Sequence, residues 1–310
     1  MKIDINSKQE ILKLIELKKT QLGSYGKVAK ACEVNTATIT NNIKLPENWD
    51  SVSEVMWVKV GTALGYKFSG RWVMVETKNL EIVTSVLTTS KAFGEMKCIA
   101  HPAGGGKTAA CEWFEAQDTD GSVVLFKCEK WSHREFITRM AKHLGIDTES
   151  EKNLYQMADK VIAFFKQKSA GCEPILIIDQ ADKLPNRSIG FLIQFYNELK
   201  SECGCVLVGT EHLAKKIKAG VKRSLEGFDE LDDRLGRNYV GLIGYTQKDL
   251  MKICQANGIE DTEVIENIWT GLSPEQVAVG KSYVRVAKSG RLIETAINNW
   301  KKRELKRQAA

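Results

Sequence analysis

A glycine-rich stretch in the first half of the chain has the residue types that phosphate binding needs. It reads IAHPAGGGKTAACEWF from Ile99 to Phe114, with an apolar segment before the glycines and a helix-like segment after them. Successive backbone N–H groups and a helix N-terminus attract phosphate oxygens, a lysine neutralises the β and γ phosphates, and a Ser or Thr hydroxyl holds Mg²⁺. Lys107 and Thr108 are therefore predicted to bind ATP and Mg²⁺. The predicted phosphate cradle also includes Pro102, Ala103, Gly104, Gly105, Gly106 and Ala109.

One position departs from the usual phosphate-loop pattern, GxxxxGK[ST]. That pattern needs glycine at position 101, where this chain has His101. A GGGKT run can also arise by chance, but its place between a strand and a helix favours a phosphate-binding loop.

The segment PILIIDQADKL is a second candidate for chemistry, because it is an apolar strand ending in Asp179. Such an acid can hold the Mg²⁺ shell or cap the following helix, and the glycine-rich loop upstream favours the metal role. The next residue is Gln180, whose amide can orient water but cannot accept its proton. General-base assistance is worth ~10²–10⁴ in rate, so we expect slow or partner-dependent ATP hydrolysis. Asp182 is an alternative base, or simply a solvated acid at a helix start.

Strand-like and helix-like segments alternate between residues 69 and 244. The strands are predicted at MKCIAH, SVVLFKC, PILIID, CVLVGT and NYVGLIG. Near-continuous apolar strands separated by helices indicate a parallel sheet covered on both faces. We expect a helical DNA-binding domain over residues 1–68, an α/β domain over 69–244, and a helical lid with a basic C-terminal helix over 245–310. The lid prediction includes a helix at SPEQVAVG.

Composition narrows the class of protein. The 310 residues carry a net charge of +6 and contain no run of roughly 18 apolar residues, so no membrane span is predicted. The start, MKIDINSKQE, lacks the apolar segment of a signal peptide. Eight cysteines without a CxxC pair, and only four histidines, predict free thiols in the cytoplasm rather than a zinc site. A mildly basic chain permits nucleic-acid binding without requiring it.

A helix-turn-helix pattern precedes the α/β region. In YGKVAKACEVNTATITNNIK, small apolar residues suit a first short helix, and Ile39 and Ile43 anchor a second. A recognition helix meets bases or phosphates with polar side chains. The predicted DNA contacts are Thr36, Thr38, Thr40 and Asn41. The same pattern also fits a helical interaction module that touches no DNA.

Two further segments carry clustered positive charge. HLAKKIKAGVKRSLEG has no acid between Glu211 and Glu226, unlike an ordinary mixed helix surface, although a solvated helix face fits it equally well. In CEKWSHREF, cations flank Trp131, as in a loop that grips phosphates without reading sequence. The predicted phosphate contacts are Lys130, Arg134, Lys215, Lys216, Lys218, Lys222 and Arg223.

These elements resemble the AAA+ ATPases, which share a phosphate loop, a Walker-B strand, a polar sensor on the next strand and a helical lid. The resemblance implies an α/β P-loop NTPase fold with a parallel sheet, a small C-terminal helical lid and an N-terminal all-helical helix-turn-helix domain. It also implies that Thr210, at the end of CVLVGT, senses the γ-phosphate or the attacking water. A threonine there could instead cap the next helix.

The same resemblance implies further nucleotide contacts. Arg234 and Arg237 stand where the family places arginines that reach a neighbouring subunit's γ-phosphate, though both could pair with the acids beside them. Arg291, in KSGRLIETA, resembles the second sensor arginine of the lid. The family's adenine pocket precedes the first strand, which assigns Thr77 and Asn79 to the base.

A helix-turn-helix followed by such a domain is similar to the target-capture ATPases of DNA transposition, a family that includes the B proteins of Mu-like phages and IstB-type and TnsC-type regulators. The resemblance implies ATP- and Mg²⁺-dependent, largely non-specific binding to double-stranded DNA. It also implies self-assembly into helical filaments that present target DNA to a transposase, which stimulates ATP hydrolysis.

Two other functions fit the sequence. A replication initiator or helicase loader would also be an AAA+ protein, but such loaders more often place the DNA reader after the ATPase. A nucleotide-regulated helix-turn-helix repressor would form a defined dimer and bind half-sites about one helical turn apart.

Overall fold

The computed structural model describes residue 3, residues 5–64, residue 66, and residues 72–148 and 153–308. The chain divides into two compact units, Met1–Val73 and Met74–Ala310. No helix of the described residues is long and apolar enough to cross a membrane.

The first unit is helical. Its elements are α1 (Ile5–Leu22), α2 (Tyr25–Ala31), a π-helical turn (Thr38–Ile43), a 3-10 turn (Pro46–Ser51) and α3 (Glu54–Ala63). Helix α2 begins after Ser24, whose hydroxyl accepts a hydrogen bond from the backbone N–H of Lys27. Ser53 caps α3 in the same way. Such caps satisfy N–H groups that have no partner within the helix.

Aromatic and branched side chains fill the core of this unit. Trp57, Ile39 and Ile43 are fully buried, and the Trp49 ring meets the Trp57 ring edge to face with centroids 5.5 Å apart. The Trp49 indole N–H donates to the carbonyl oxygen of Ile43 at 2.6 Å. Ile39 and Ile43 thus anchor the second short helix of the predicted helix-turn-helix, as the sequence indicates.

The second unit contains the α/β sheet and the C-terminal elements. Its elements are α4 (Lys78–Phe93), β1 (Met96–Ala100), α5 (Lys107–Ala116), β2 (Val123–Lys127), α6 (His133–His143), α7 (Leu154–Ser169), β3 (Ile175–Asp179), α8 (Ile189–Leu199), β4 (Gly204–Gly209), α9 (Glu211–Lys222), α10 (Phe228–Arg234), β5 (Tyr245–Thr246), α11 (Gln247–Ala256), α12 (Thr262–Gly271), β6 (Glu275–Val279), β7 (Ser282–Ala287) and α13 (Gly290–Gln308).

The main sheet has four parallel strands in the order β1-β4-β3-β2. Every residue of β3 and β4 is buried, because helices cover both faces of the sheet. Since parallel strands share one carboxyl edge, the segments that follow β1, β4, β3 and β2 lie side by side along it. The strands predicted from the first four apolar runs are confirmed.

The fifth predicted strand, NYVGLIG, is reduced to a single bridge. Val240 pairs with Ile99, donating to the Cys98 carbonyl at 2.8 Å and accepting from Ala100 at 2.9 Å. The backbone N–H groups of residues 242–244 then donate to side chains instead of to β1. Side-chain acceptors therefore end the ladder after one residue.

The prediction of a helix at SPEQVAVG is wrong. This segment forms β6, which pairs antiparallel with β7, and the order of the small sheet is β5-β7-β6. Val277 and Val284 face each other across the hairpin, and their neighbours along each strand point to the opposite face. This alternation of period two outweighs the local helix-forming residues. Gly280, at φ +60°, makes the turn.

Candidate nucleotide-binding site

The glycine-rich loop connects β1 to α5, as a phosphate-binding loop must. Helix α5 begins at Lys107, and Gly106 precedes it at φ +85°, in a conformation that favours glycine. Gly104 has a similar conformation, at φ +90°. The first N–H groups of α5 therefore end at the loop, where a helix N-terminus attracts anions.

Two of the three loop glycines touch the C-terminal part of the unit. A Cβ atom on Gly104 would lie 2.3 Å from Oγ of Ser289, and one on Gly106 would lie 2.6 Å from the hydroxyl oxygen of Tyr245. The N–H of Gly290 donates to the carbonyl oxygen of Gly104 at 2.8 Å. Both glycines also have a positive φ, so a larger residue at either position would be strained and would have to displace the side chain of Ser289 or Tyr245.

The middle glycine is required by His101, the residue that departs from the phosphate-loop pattern. A Cβ atom on Gly105 would lie 2.5 Å from Cδ2 of the His101 ring. The ring accepts a hydrogen bond at Nδ1 from the N–H of Leu242, with a length of 3.2 Å. Burial, and next the positive charge of Lys107, lower the pKa of His101 to about 4. The imidazole is therefore neutral at pH 7, with its proton on Nε2.

Asn79 links the loop to the segment after the Val240 bridge. Its Nδ2 donates to the carbonyl oxygen of Gly105 at 3.0 Å, and its Oδ1 accepts from the N–H groups of residues 243 and 244 at 3.2 and 3.1 Å. Thr77 caps α4 with its hydroxyl. Both side chains are buried and hydrogen-bonded within the unit. Their contact with adenine stays a prediction.

Lys107 lies over the loop and is only 8% exposed. Its Nζ donates to the carbonyl oxygens of His101 and Pro102 at 2.6 and 2.9 Å. Burial lowers the pKa of this ammonium group, and the carboxylates of Asp179 and Asp182 oppose that shift. The loop thus holds a cation partly withdrawn from water, where its attraction for phosphate oxygens is strengthened.

The two predicted magnesium ligands are brought into direct contact from distant parts of the sequence. The hydroxyl of Thr108 donates to Oδ2 of Asp179 at 2.7 Å. Asp179 ends β3 and is 2% exposed, and its Oδ1 accepts from the N–H of Gln180 at 2.8 Å. A hydroxyl beside a buried carboxylate is the oxygen donor set that suits Mg²⁺ bound together with phosphates. The arrangement fits the ion.

Gln180 follows the aspartate in a left-handed conformation, at φ +56°. Its Oε1 accepts a hydrogen bond from Nζ of Lys183. Gln180 is the next residue after the predicted magnesium ligand, and its role in orienting the attacking water stays a prediction. An amide at this position can orient water but supplies no general base.

Thr210 contributes an unpaired hydroxyl to the same edge. It follows β4, which lies between β1 and β3, and its N–H donates to Oδ1 of Asp182 at 3.0 Å. Its Oγ1 is buried without a hydrogen-bond partner among the described residues, and it does not cap α9. A buried polar atom without a partner is costly, so this hydroxyl is available to a ligand.

Arg291 lies within electrostatic range of the loop. Its positive charge contributes to the lowering of the pKa of Lys107. It is exposed in the first turn of α13, directly after Gly290, which bonds the loop. The predicted sensor arginine and the predicted phosphate cation therefore face the same region.

Arg234 and Arg237 lie elsewhere. Arg234 donates to Oδ1 of Asn197 at 2.9 Å and lines a cavity of about 410 Å³ that also includes Met96, at the amino end of β1. Arg237 donates to Asp229 at 3.1 Å and pairs with the carboxylates of Asp232 and Asp233. Within one chain Arg234 is therefore at the edge of the sheet opposite the loop. For both Arg234 and Arg237, contact with the γ-phosphate bound by a neighbouring subunit stays a prediction.

The predicted DNA contacts of the first unit differ in exposure. Thr36 and Asn41 are exposed, while Thr38 and Thr40 are half-buried. The Thr40 hydroxyl donates to the carbonyl oxygen of Thr36 at 3.1 Å. The two exposed residues are the better placed to meet a ligand.

The basic run on α9 is not one uniform surface. Lys215, Lys218 and Lys222 are exposed, whereas Lys216 is half-buried and its ammonium group bonds the carbonyl oxygen of Leu184. Burial lowers the pKa of Lys216. Arg223, at the end of the run, is exposed. Lys216 therefore supports the loop after β3 rather than pointing to solvent.

Arg187 extends the positive charge along the carboxyl edge, and sequence reasoning missed it. It follows β3 and is exposed, and its charge contributes to lowering the pKa of His133 at the start of α6. Exposed Lys130 and Arg134 flank the same helix start. The sequence does not indicate a role for Arg187, because it is a single cation in a segment that also contains acids. Only the order of the strands places it between the basic run of α9 and the basic residues at the start of α6.

The contact between His101 and Gly105 predicts a strongly coupled pair of substitutions. Gly105→Ala should lower the free energy of unfolding by about 1–3 kcal/mol, because the added methyl group overlaps the ring. In the His101→Ala background the same change should cost much less, giving a coupling energy of about 0.5–3 kcal/mol. Urea unfolding of the four proteins measures it, and additive effects would contradict the contact.

The depressed pKa of His101 predicts a specific pH dependence. As pH falls from 7 to 4.5, the unfolded chain binds a proton near pH 6.5 while the folded chain, with a pKa of about 4, does not. Stability is therefore lost over this window, by about 2 kcal/mol more than in His101→Gln. Urea unfolding at both pH values checks this, and equal losses in the two proteins would contradict it.

Comparison with known protein families matches residues 96–217 to an AAA domain. This region runs from β1 into α9 and includes the loop, Asp179 and Thr210. Among curated proteins, the chain is 27% identical over 190 residues to the Mu-like prophage FluMu DNA transposition protein B of Haemophilus influenzae. The match covers 61% of this chain and 63% of that relative, which is less than two thirds of its length.

The solved structures that the chain matches in part include two replication proteins. The Aeropyrum pernix ORC1 protein in complex with DNA has a TM-score of 0.47 and 14% identity, covering 76% of this chain and 63% of that one. Domain III of the Thermotoga maritima replication initiation protein DnaA has a TM-score of 0.44 and 16% identity, covering 73% and 84%. Residues 96–217 of this chain therefore match an AAA domain, and the chain is similar to DNA transposition protein B of a Mu-like prophage.

Proposed function

We propose that this protein is an ATP-dependent, non-specific double-stranded DNA-binding protein of DNA transposition. It assembles into filaments on DNA, selects and presents target DNA, and activates a transposase. The observation that carries the nucleotide part is the direct contact between Thr108 and Asp179 beneath the glycine-rich loop. The similarity to a DNA transposition protein B supports the choice of pathway.

ATP acts in this proposal as a switch, with weak or partner-stimulated hydrolysis. The residues that would hold it are Lys107 on the phosphates, Thr108 and Asp179 on Mg²⁺, and Thr210 on the γ-phosphate. When bound, Mg²⁺ neutralises phosphate charge. The residue after Asp179 is an amide and supplies no base, so turnover is slow unless a partner assists it, and the bound triphosphate persists.

The position of Arg234 supports self-assembly. Arg234 is at the sheet edge opposite the loop and so reaches a nucleotide only on a neighbouring subunit. A contact that joins two different surfaces repeats from subunit to subunit and produces a helix unless it closes. ATP held between subunits would therefore couple nucleotide binding to filament growth.

The first test is binding to random-sequence duplex DNA with ATP·Mg²⁺, with ADP and without nucleotide, imaged by electron microscopy. We expect filaments with ATP only. Lys107→Ala should lower ATP affinity at least about 100-fold, because two charged hydrogen bonds to phosphate are lost, and should abolish filaments. The control is Lys160→Ala, which removes an exposed ammonium group on α7.

Four outcomes are decisive. Filaments that need ATP and Lys107 support the proposal. Unchanged DNA binding by Lys107→Ala rejects the switch. Nucleotide-independent, sequence-selective binding by discrete particles rejects the transposition function in favour of a helix-turn-helix repressor, and stable association with a replicative helicase favours a loader.

A carboxylate in place of the amide should restore a general base. Gln180→Glu is expected to raise the rate of ATP hydrolysis by about 10–100-fold, within the range of general-base assistance. Lys183→Ala is the control, because it frees the Gln180 side chain without adding a base. Phosphate release under saturating ATP is the measurement, and equal rates for all three proteins would place position 180 away from the water.

The exposed and half-buried lysines of α9 should behave differently. Replacing Lys215, Lys218 and Lys222 by alanine should reduce the slope of log affinity against log salt by about 3, since each phosphate contact releases about one counterion. Lys216→Ala should leave the slope unchanged and lower thermal stability instead. Fluorescence anisotropy on duplex DNA measures the slope, and an unchanged slope in the triple variant means that α9 faces only solvent.

A further inference from the structure

The β6–β7 hairpin is the most exposed element of the second unit that the nucleotide site does not use. Tyr283 is 74% exposed, and Arg285, Gln276 and Ala278 on the same face are exposed as well. On the other face Val277 and Val284 are half-buried. One face therefore holds the hairpin in the fold and the other has no partner among the described residues.

The free face is positively charged. Lys281 at the turn and Arg285 on β7 have no ion pair within the described part of the chain. Residues 271–290 contain a single acid, Glu275, whose carboxylate is paired with Lys288 at 2.5 Å. An exposed tyrosine between two unpaired cations is unexpected on a surface of mixed charge. Proteins bind phosphate backbones with cations and with hydroxyl groups that donate to phosphate oxygens, and the hairpin presents both kinds of group.

The neighbouring helix has the opposite charge. Helix α12 carries Glu263 and Glu266 and no basic residue, and Asp261 caps it. The acidic residues of α12 repel an anionic polymer, whereas the cations of the hairpin attract it. Within residues 261–290 the cations therefore lie on the hairpin or directly after it, and the next basic surface along the chain is that of α13.

The root of the hairpin lies on the glycine-rich loop. β7 pairs with β5, whose Tyr245 hydroxyl approaches Gly106, and the chain after β7 leads to Gly290, which bonds Gly104. From that root β7 extends about 17 Å toward the turn, at about 3.4 Å per residue. A change in the loop on nucleotide binding is thus transmitted to the base of an arm.

We propose that the hairpin of residues 275–287 is a DNA-contacting arm, which binds the phosphate backbone of duplex DNA through Lys281, Tyr283 and Arg285. This inference rests on the proposed DNA-binding function and assigns to it a surface separate from α9. Because its root lies on the loop, the arm's contribution to DNA affinity is greater with ATP than with ADP.

The test compares two triple variants of the full chain. The hairpin variant is Lys281→Ala, Tyr283→Ala and Arg285→Ala. The matched control is Lys142→Ala, Tyr155→Ala and Lys166→Ala, which removes the same charge and an equally exposed tyrosine from α6 and α7. ATP binding and thermal unfolding of both variants establish that they fold as the wild type does.

The readout is affinity for random-sequence duplex DNA against salt, with ATP·Mg²⁺ and with ADP. The hairpin variant should lose about 10–100-fold in affinity with ATP, and its salt slope should fall by about 2, because two phosphate contacts are gone. The control should keep the wild-type slope. With ADP the difference between wild type and hairpin variant should be smaller.

Other outcomes overturn the proposal. A wild-type protein that binds DNA, with a hairpin variant of unchanged slope, rejects the arm and leaves the proposed function intact. An unchanged slope together with weaker self-association in the absence of DNA assigns the hairpin to a subunit contact instead. A wild-type protein that binds no DNA under any nucleotide condition rejects both.

Discussion

The close approach of three different segments to three consecutive glycines is the constraint on which the second unit depends. Ser289 and Gly290 touch Gly104, His101 and Asn79 touch Gly105, and Tyr245 touches Gly106. The phosphate-binding loop is thus also the point where the start of α4, the C-terminal elements and the end of β1 meet. Glycine is needed at each position for packing as well as for the cradle, so occupancy of the loop bears on all three segments.

The histidine at position 101 shows how this packing alters the familiar pattern. The usual glycine there keeps the loop open, whereas a neutral imidazole fills that space and accepts the N–H of Leu242. The same acceptor role, with that of Asn79, ends the pairing of residues 242–244 with β1. His101 therefore contacts the loop and, together with Asn79, limits the last strand of the sheet to a single bridge.

Much of the nucleotide site was predictable because its signals are local. The sequence GGGKT follows one apolar strand, and Asp179 ends another. Because parallel strands align their carboxyl ends, these two segments lie close together, and the contact between Thr108 and Asp179 could be expected. The rest depends on tertiary partners that spacing does not reveal. Nothing in the sequence places Tyr245 beside Gly106, and Arg187 gains a role only from strand order. The sequence analysis predicted a helix where β6 lies, because helix-like segments precede and follow the hairpin and the alternation of period two extends over only a few residues.

The distribution of charge explains why a loop of this kind suits a switch better than a motor. Around the phosphates the chain supplies Lys107 and Arg291, the oxygen ligands of Thr108 and Asp179, and the orphan hydroxyl of Thr210, all of which favour binding. A motor also needs a base to release that binding energy in each cycle, and Gln180 does not provide one. Under the proposed function, the same loop also holds the root of the basic hairpin, so the energy of nucleotide binding is used to arrange the surfaces that meet DNA and a partner stimulates hydrolysis.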